Sequence, residues 1–82
     1  GDLSIICDAK FDYKGTPCFV EVDISQPMVK NKAKIDKYRT MKEMTGDPFY
    51  LIWVTELESR RYKLTQLCEG LVGQIYTFND IK

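Results

Sequence analysis

The chain has 82 residues and no formal net charge at pH 7, since 12 lysine and arginine residues balance 12 aspartate and glutamate residues. A chain of this length forms one domain with a small core. A neutral domain has no overall field that would draw it to nucleic acid or to a membrane. It also contains no histidine, which excludes histidine-based acid–base catalysis and zinc sites built on imidazole.

Cysteine content and hydropathy indicate a cytoplasmic protein without a membrane partner. The three cysteines, Cys7, Cys18 and Cys68, lack CxxC spacing, so we expect small core residues rather than a disulfide framework. The longest apolar run, residues 49–54 (FYLIWV), is too short to cross a membrane. Because the chain begins with Gly1 rather than Met, we expect it to be a fragment of a longer protein.

The N-terminal region predicts a β-hairpin. Residues 3–11 (LSIICDAKF) and 18–24 (CFVEVDI) alternate apolar and polar side chains as strands do. Gly15, which accepts positive φ, and Pro17, which disfavours strand pairing, lie between them. We therefore expect a turn centred near Lys14.

This turn predicts which strand residues share a face. Odd-numbered residues of the first strand lie opposite even-numbered residues of the second, so Asp8 lies roughly across from Glu21. Asp23 is one step further along the same polar face. The apolar face collects Ile5, Cys7, Ala9, Phe11, Cys18, Val20, Val22 and Ile24.

Residues 25–46 predict a helix. Pro27 suits a first turn, and Gly46 closes the segment. Lys34 lies one turn before Tyr38, on the flank of the buried side. That buried side is formed by Met28, Ile35, Tyr38 and Met41.

The remaining chain predicts a strand, a helix and a last strand. Residues 49–55 are apolar on both faces, which is typical of a central strand covered on two sides. Residues 57–71 form the second helix, and residues 74–78 the last strand. The order β-β-α-β-α-β predicts an α/β fold with a small mixed sheet, a hairpin followed by parallel strands.

The polar face of the hairpin carries the residues best suited to chemistry. Asp8, Glu21 and Asp23 offer hard oxygen ligands that suit Mg²⁺ or Mn²⁺, and Lys34 could position an attacking water or steady charge on a phosphate. The alternative is a solvated face of a hairpin. Carboxylates this close raise the pKa of at least one of them unless a cation lies between them.

Two groups of basic residues are candidates for contact with nucleic acid. Residues 30–42 (KNKAKIDKYRTMK) form a basic ridge with Lys30 and Lys37 pointing outward, although such ridges are also common solvated helix faces. Arg60 and Arg61, at the start of the second helix, could hold a phosphate or serve as surface and capping residues.

The pattern "D…FVEVD…KAKIDKYRTM…FYLIWVTELESRRYKL…TFNDI" spans nearly the whole chain. It resembles the C-terminal domain of the replication-relaxation family of plasmid and mobile-element proteins. The resemblance implies a PD-(D/E)XK, restriction-endonuclease-like fold in a bacterial protein of DNA replication or copy-number control. It also implies DNA, and in some cases replication proteins, as partners.

The resemblance assigns roles to individual residues. Glu21 and Asp23 correspond to the E-x-(D/K) pair, and either Asp2 or Asp8 to the preceding acid, so these four are the expected metal ligands. Because Asp23 replaces the catalytic lysine, that function is either supplied by Lys34, alongside Glu21 and Asp23, or absent. The residues expected to contact DNA are Lys30, Lys34, Lys37, Arg60 and Arg61.

Two functions follow from the resemblance. One is a non-catalytic module that binds DNA or a replication partner, or mediates dimerisation. The other is an active Mg²⁺-dependent DNA endonuclease or nickase. We favour the first, because the E-x-K pattern is broken and the first helix of the superfamily core is missing. A sheet without that helix leaves apolar surface and strand edges uncovered, so we expect a homodimer.

Overall fold

The computed structural model describes residues 5–81 and confirms the predicted order of strands and helices. The protein is an α/β domain with one four-stranded mixed sheet. Within residues 5–81, no helix combines the length and the apolar character needed to span a bilayer. The elements are β1 (Ala9–Tyr13), β2 (Thr16–Asp23), α1 (Met28–Thr45), β3 (Tyr50–Thr55), α2 (Glu58–Leu67), β4 (Gly73–Thr77) and a final 3-10 turn (Phe78–Ile81).

The hairpin has the predicted register. Lys14 and Gly15 have φ values of 51° and 84°, as a two-residue turn with positive φ at both positions requires. Ala9 pairs with Val20, which sets odd-numbered residues opposite even-numbered ones. Within residues 5–81 the first strand begins at Ala9, later than predicted, and the predicted start at residue 3 lies outside the described residues.

Both helices pack on the same face of the sheet. The order β1-β2-β3-β4 has parallel pairing from β2 to β3 and from β3 to β4, and two right-handed crossovers in one direction put their helices on one side. The core joins the two helices to the odd-numbered side chains of β3. Its fully buried members are Ile35, Tyr38, Leu51, Trp53 and Leu64.

The other face of the sheet is not covered by any element within residues 5–81. The prediction that β3 is covered on both faces is therefore wrong: its even-numbered side chains are only half-buried. On the hairpin, Phe11 is 47% exposed, Tyr13 61% and Val22 37%. The sheet thus buries the face that carries Glu21 and Asp23 and leaves the apolar face of the hairpin partly open, the reverse of a solvated acid face.

Interactions between the ends of the two helices fix the helical layer. Gly46 ends α1 in the left-handed conformation, as predicted. Arg39 donates hydrogen bonds to the carbonyl oxygens of Leu67 and Glu69 at 2.6 and 2.7 Å. The second helix ends at Leu67, four residues earlier than predicted, because the chain then turns through Gly70, whose φ is 87°.

Candidate functional site

Asp23 is the last residue of β2, and its carboxylate is completely shielded from solvent. Arg60 donates two hydrogen bonds to it, from Nε to Oδ2 at 2.6 Å and from Nη2 to Oδ1 at 2.8 Å. Thr55 and Asn31 donate one each, at 2.7 and 3.2 Å. Burial favours a raised pKa for Asp23, but these hydrogen bonds and the charge of the guanidinium outweigh it and lower the pKa. The carboxylate is therefore ionised, and each of its two oxygens accepts two hydrogen bonds.

Three elements deliver these donors to one point, because parallel strands end at the same edge of a sheet. Thr55 closes β3 and is the register partner of Asp23. Asn31 comes from the first turn of α1 and Arg60 from the first turn of α2. Both helices follow directly from the strands that end here, so the network joins the two βα connections of the fold.

Glu21 lies one pleat earlier on the same face and is 2% exposed. Lys34 Nζ lies 2.9 Å from its Oε1, and the hydroxyl of Tyr38 donates to its Oε2. Burial, and then the hydrogen bond and charge of Glu21, raise the pKa of Tyr38, so the phenol stays protonated. The side chain of Lys34 is 32% exposed, and Lys34 thus links the buried acid to the surface.

Asp8 is the predicted first acid that the structure places near Glu21. It precedes β1, and its Oδ2 accepts the backbone N–H of Val22 at 2.6 Å. After burial and Glu21, the charge of Asp8 is a further cause of the raised pKa of Tyr38. The alternative first acid, Asp2, lies outside the described residues. Of these predicted site residues, the structure joins Glu21 with Lys34 and sets the carboxylate of Asp8 against the backbone of Val22, the residue after Glu21.

The basic residues predicted to contact DNA fall into two groups. Lys30 and Lys37 are exposed on the flank of α1 that also carries Lys34, and neither forms a salt bridge within residues 5–81. The two arginines are engaged inside the domain. Arg60 holds Asp23, and Arg61 binds Glu58 at 2.6 Å and Asp80 at 2.7 Å.

Sequence reasoning missed the neutral partners of the acids. Asn31 is fully buried and falls at helical spacing between Met28 and Ile35, so a polar residue on the buried side of α1 was the available signal. The sequence correctly predicted that β3 ends at Thr55, but it did not predict the hydrogen bond from Thr55 to Asp23. No spacing in the sequence relates Arg60 to that carboxylate, since 37 residues separate them.

A divalent cation shared by Glu21 and Asp23 does not fit this arrangement. The oxygens of Asp23 are bound by a guanidinium and two neutral donors, and those of Glu21 by Lys34 and Tyr38. Within residues 5–81, no group of three or more histidine, cysteine, aspartate or glutamate side chains is arranged to hold a metal ion. The expected Mg²⁺ or Mn²⁺ stays a prediction.

Comparisons of the chain with protein-family models, with curated proteins and with solved structures find no match.

Proposed function

We propose that this domain is a DNA-binding module of a replication-relaxation-type protein, acting in plasmid or mobile-element replication as a homodimer. The single observation that carries the proposal is the internal pairing of both acids of the E-x-D pattern. Arg60 pairs with Asp23, and Lys34 and Tyr38 bind Glu21. The residues that resemble a catalytic centre thus stabilise the junction of the strands and helices.

Internal pairing also sets the charge of the adjacent surface. The 18-residue helix α1 carries six basic and two acidic side chains. With the nearby Glu21 neutralised by Lys34, the exposed charges of Lys30 and Lys37 are left to face solvent. Lysines that neutralise phosphates release condensed counterions, which makes such binding favourable at low salt. The basic flank of α1, defined as Lys30, Lys34 and Lys37, is the proposed contact with the DNA backbone.

Fluorescence anisotropy with a labelled duplex at increasing salt tests this proposal. For the double variant Lys30→Gln/Lys37→Gln we expect weaker binding and a salt slope smaller by about 2, because each glutamine leaves one phosphate without its neutralising lysine. The control is Lys32→Gln, on another face of α1, where the lysine pairs with Asp36 at 3.1 Å. The basic flank would be rejected as the contact if the double variant and the Lys32→Gln control weakened DNA binding equally, or if the unmodified domain did not bind the duplex at low salt.

The second candidate is the Mg²⁺-dependent endonuclease or nickase. The observation that favours it is the ion pair of Lys34 with Glu21, on the strand whose next residue, Val22, donates its backbone N–H to Asp8. Titration with Mn²⁺, followed by NMR line broadening, separates the candidates. Broadening at Asp8 and Glu21, together with nicking of supercoiled plasmid that Glu21→Gln abolishes, would establish the enzyme. Unchanged spectra would leave the binding module.

A further inference from the structure

Strand β4 forms an edge of the sheet without the features that usually prevent edge pairing. Its sequence, GQIYT, has no charged residue and no proline, whereas the other edge strand, β1, carries Lys10 and Asp12. Charged side chains, prolines and bulges are the devices that keep edge strands from pairing with other chains. Their absence from β4 indicates an edge that is available for pairing.

The backbone of β4 presents free groups on its outer side. Leu51 pairs with Gly73, and its N–H bonds to the carbonyl of Val72 at 2.9 Å. In a parallel ladder the bonds to the neighbouring strand come from alternate residues, so Gln74 and Tyr76 face β3. Ile75, at the centre of β4, directs its N–H and C=O outward.

The outward backbone N–H at the C-terminal end of β4 already has a hydrogen-bond acceptor. The backbone N–H of Thr77 bonds to the carboxylate of Asp80 at 2.8 Å, so the final 3-10 turn occupies that position. Ile75 is therefore the position at which a further strand would form its central hydrogen bonds.

A cleft of about 790 Å³ lies beside this edge, between α2 and the sheet. Trp53 and Ile75 line it from the strands, and Tyr62 and Gln66 from the helix. Tyr62 is 67% exposed, and the buried indole N–H of Trp53 has no acceptor within residues 5–81. The cleft thus combines apolar surface with an unsatisfied donor.

We infer that β4 pairs antiparallel with β4 of a second copy of this chain, about a two-fold axis at Ile75, and that each copy closes the cleft of the other. The inference rests on the proposed homodimer and names its surface. In an antiparallel ladder, residues that lie directly opposite can exchange both N–H···O bonds. The outward N–H and C=O of Ile75 can do so with the same residue of the second copy.

The second helix would also take part in this pairing. Helix α2 lies over β3 and β4 and contacts mainly β4, so a two-fold axis at Ile75 brings the α2 helices of the two copies next to each other on one face of the joined sheet. The resulting eight-stranded sheet would bury Tyr62 at its centre. The open face of the sheet, by contrast, has no pattern that selects one partner.

Amide hydrogen exchange followed by NMR, at low and high protein concentration, tests the pairing. We expect exchange of the Ile75 amide to slow by about tenfold or more as the dimer forms, because its outward N–H becomes bonded. The amides of Gln74 and Tyr76 are internal controls, since β3 already holds them in the monomer. A dimer in which the Ile75 amide keeps its monomer rate would overturn the inference.

A matched pair of variants gives a second test by sedimentation. Tyr62→Glu places a charge in the cleft and should weaken dimerisation by about tenfold or more, while Tyr13→Glu, at a tyrosine 61% exposed on the open face, should not. The opposite result would place the dimer on the open face. If Tyr62→Glu is monomeric yet binds the duplex with the same salt slope, the dimer surface and the DNA contact are independent of each other. A domain that binds DNA but stays monomeric would contradict the pairing alone.

Discussion

Asp23 shows how a single buried charge depends on one partner. Its side chain is completely buried, and that of Arg60 is 21% exposed. Removing one member of such a pair leaves the other charge buried without compensation, which costs about 3–5 kcal/mol. We therefore expect Arg60→Ala to lower the free energy of unfolding by this amount, measured by urea denaturation.

The neighbouring arginine is a matched control for this prediction. Arg61 forms two ion pairs with exposed acids, Glu58 and Asp80, and exposed pairs contribute about 1 kcal/mol or less. Arg61→Ala should therefore have a small effect. If the two alanine variants lost equal stability, the buried pair would not be the main stabilising contact of this junction.

The same carboxylate predicts how stability changes with pH. Burial would raise the pKa of Asp23, but its hydrogen bonds outweigh burial and lower the pKa below the ordinary value, which is about 3.9 in an unfolded chain. The stabilisation is thus complete above the unfolded pKa and is lost as the pH falls through the folded one. We expect Asp23→Asn to be destabilised relative to the unmodified domain at neutral pH, with a difference that shrinks below about pH 4. A pH-independent difference in urea unfolding would contradict this.

Sequence patterns located the acids but not the state in which they are held. The alternation of FVEVD placed Glu21 and Asp23 on one face of β2, which the structure confirms. The expected mutual rise in pKa depended on the absence of a cation, and two cations are present, Arg60 and Lys34. Local spacing predicted only the lysine as a neighbour of the acids, because long-range contacts such as that of Arg60 depend on how the helices dock.

At the scale of elements, α1 depends on its C-terminal cap. Gly46 has a φ of 69°, and a Cβ added there would meet nothing within 4 Å. The cost of Gly46→Ala is therefore conformational, about 1 kcal/mol. Gly46→Asn should cost less, since asparagine tolerates the left-handed region. Urea denaturation of both variants measures this difference, and equal losses would show that the backbone conformation at this position is not the cause.

The bounds of elements that end at a turn residue were predicted closely from the sequence. The end of α2, which depends on tertiary contacts, was not. The helix α1 ends at its glycine, and the hairpin turns at Lys14 and Gly15, as expected from turn chemistry. The second helix was predicted to continue to Leu71, which follows the apolar spacing of its inward residues. The chain leaves the helix earlier, in a turn through Gly70, and the carbonyls from Leu67 to Gly70 accept hydrogen bonds from Arg39 and Lys42 on α1.

At the scale of the whole molecule, the sheet has one covered face and one open face. The covered face is the one with the buried acids, and the open face is almost entirely apolar. Hydrophobic patterning alone predicts the reverse, because it assigns the apolar side of a hairpin to the core. Both helices lie on the acid side because each crossover is right-handed and runs in the same direction across the sheet. The order and direction of the strands, and not the hydrophobic pattern, therefore determine which face of the sheet is buried.

The two proposed interactions of this molecule should respond oppositely to salt. Contact between the basic flank of α1 and a phosphate backbone weakens steeply as counterions are added. Pairing of β4 edges depends on backbone hydrogen bonds and apolar contact. It should therefore persist at 1 M salt, where the Debye length is only about 3 Å and interactions between charges are screened. Sedimentation velocity with a short duplex should therefore show a DNA-bound dimer at low salt and a free dimer at high salt.

A dimer that dissolves at high salt would instead indicate contact between the basic flank of α1 and acidic segments of the second copy. The control is Tyr62→Glu, which should remain monomeric at both salt concentrations because the charge in the cleft opposes β4 pairing directly. A strict monomer of the unmodified domain at about 100 µM in both buffers would contradict self-association altogether, because uncovered apolar surface on this scale marks an interaction site. The expected outcome is a protein whose dimer persists after its DNA has dissociated, which allows the two surfaces to be assigned separately.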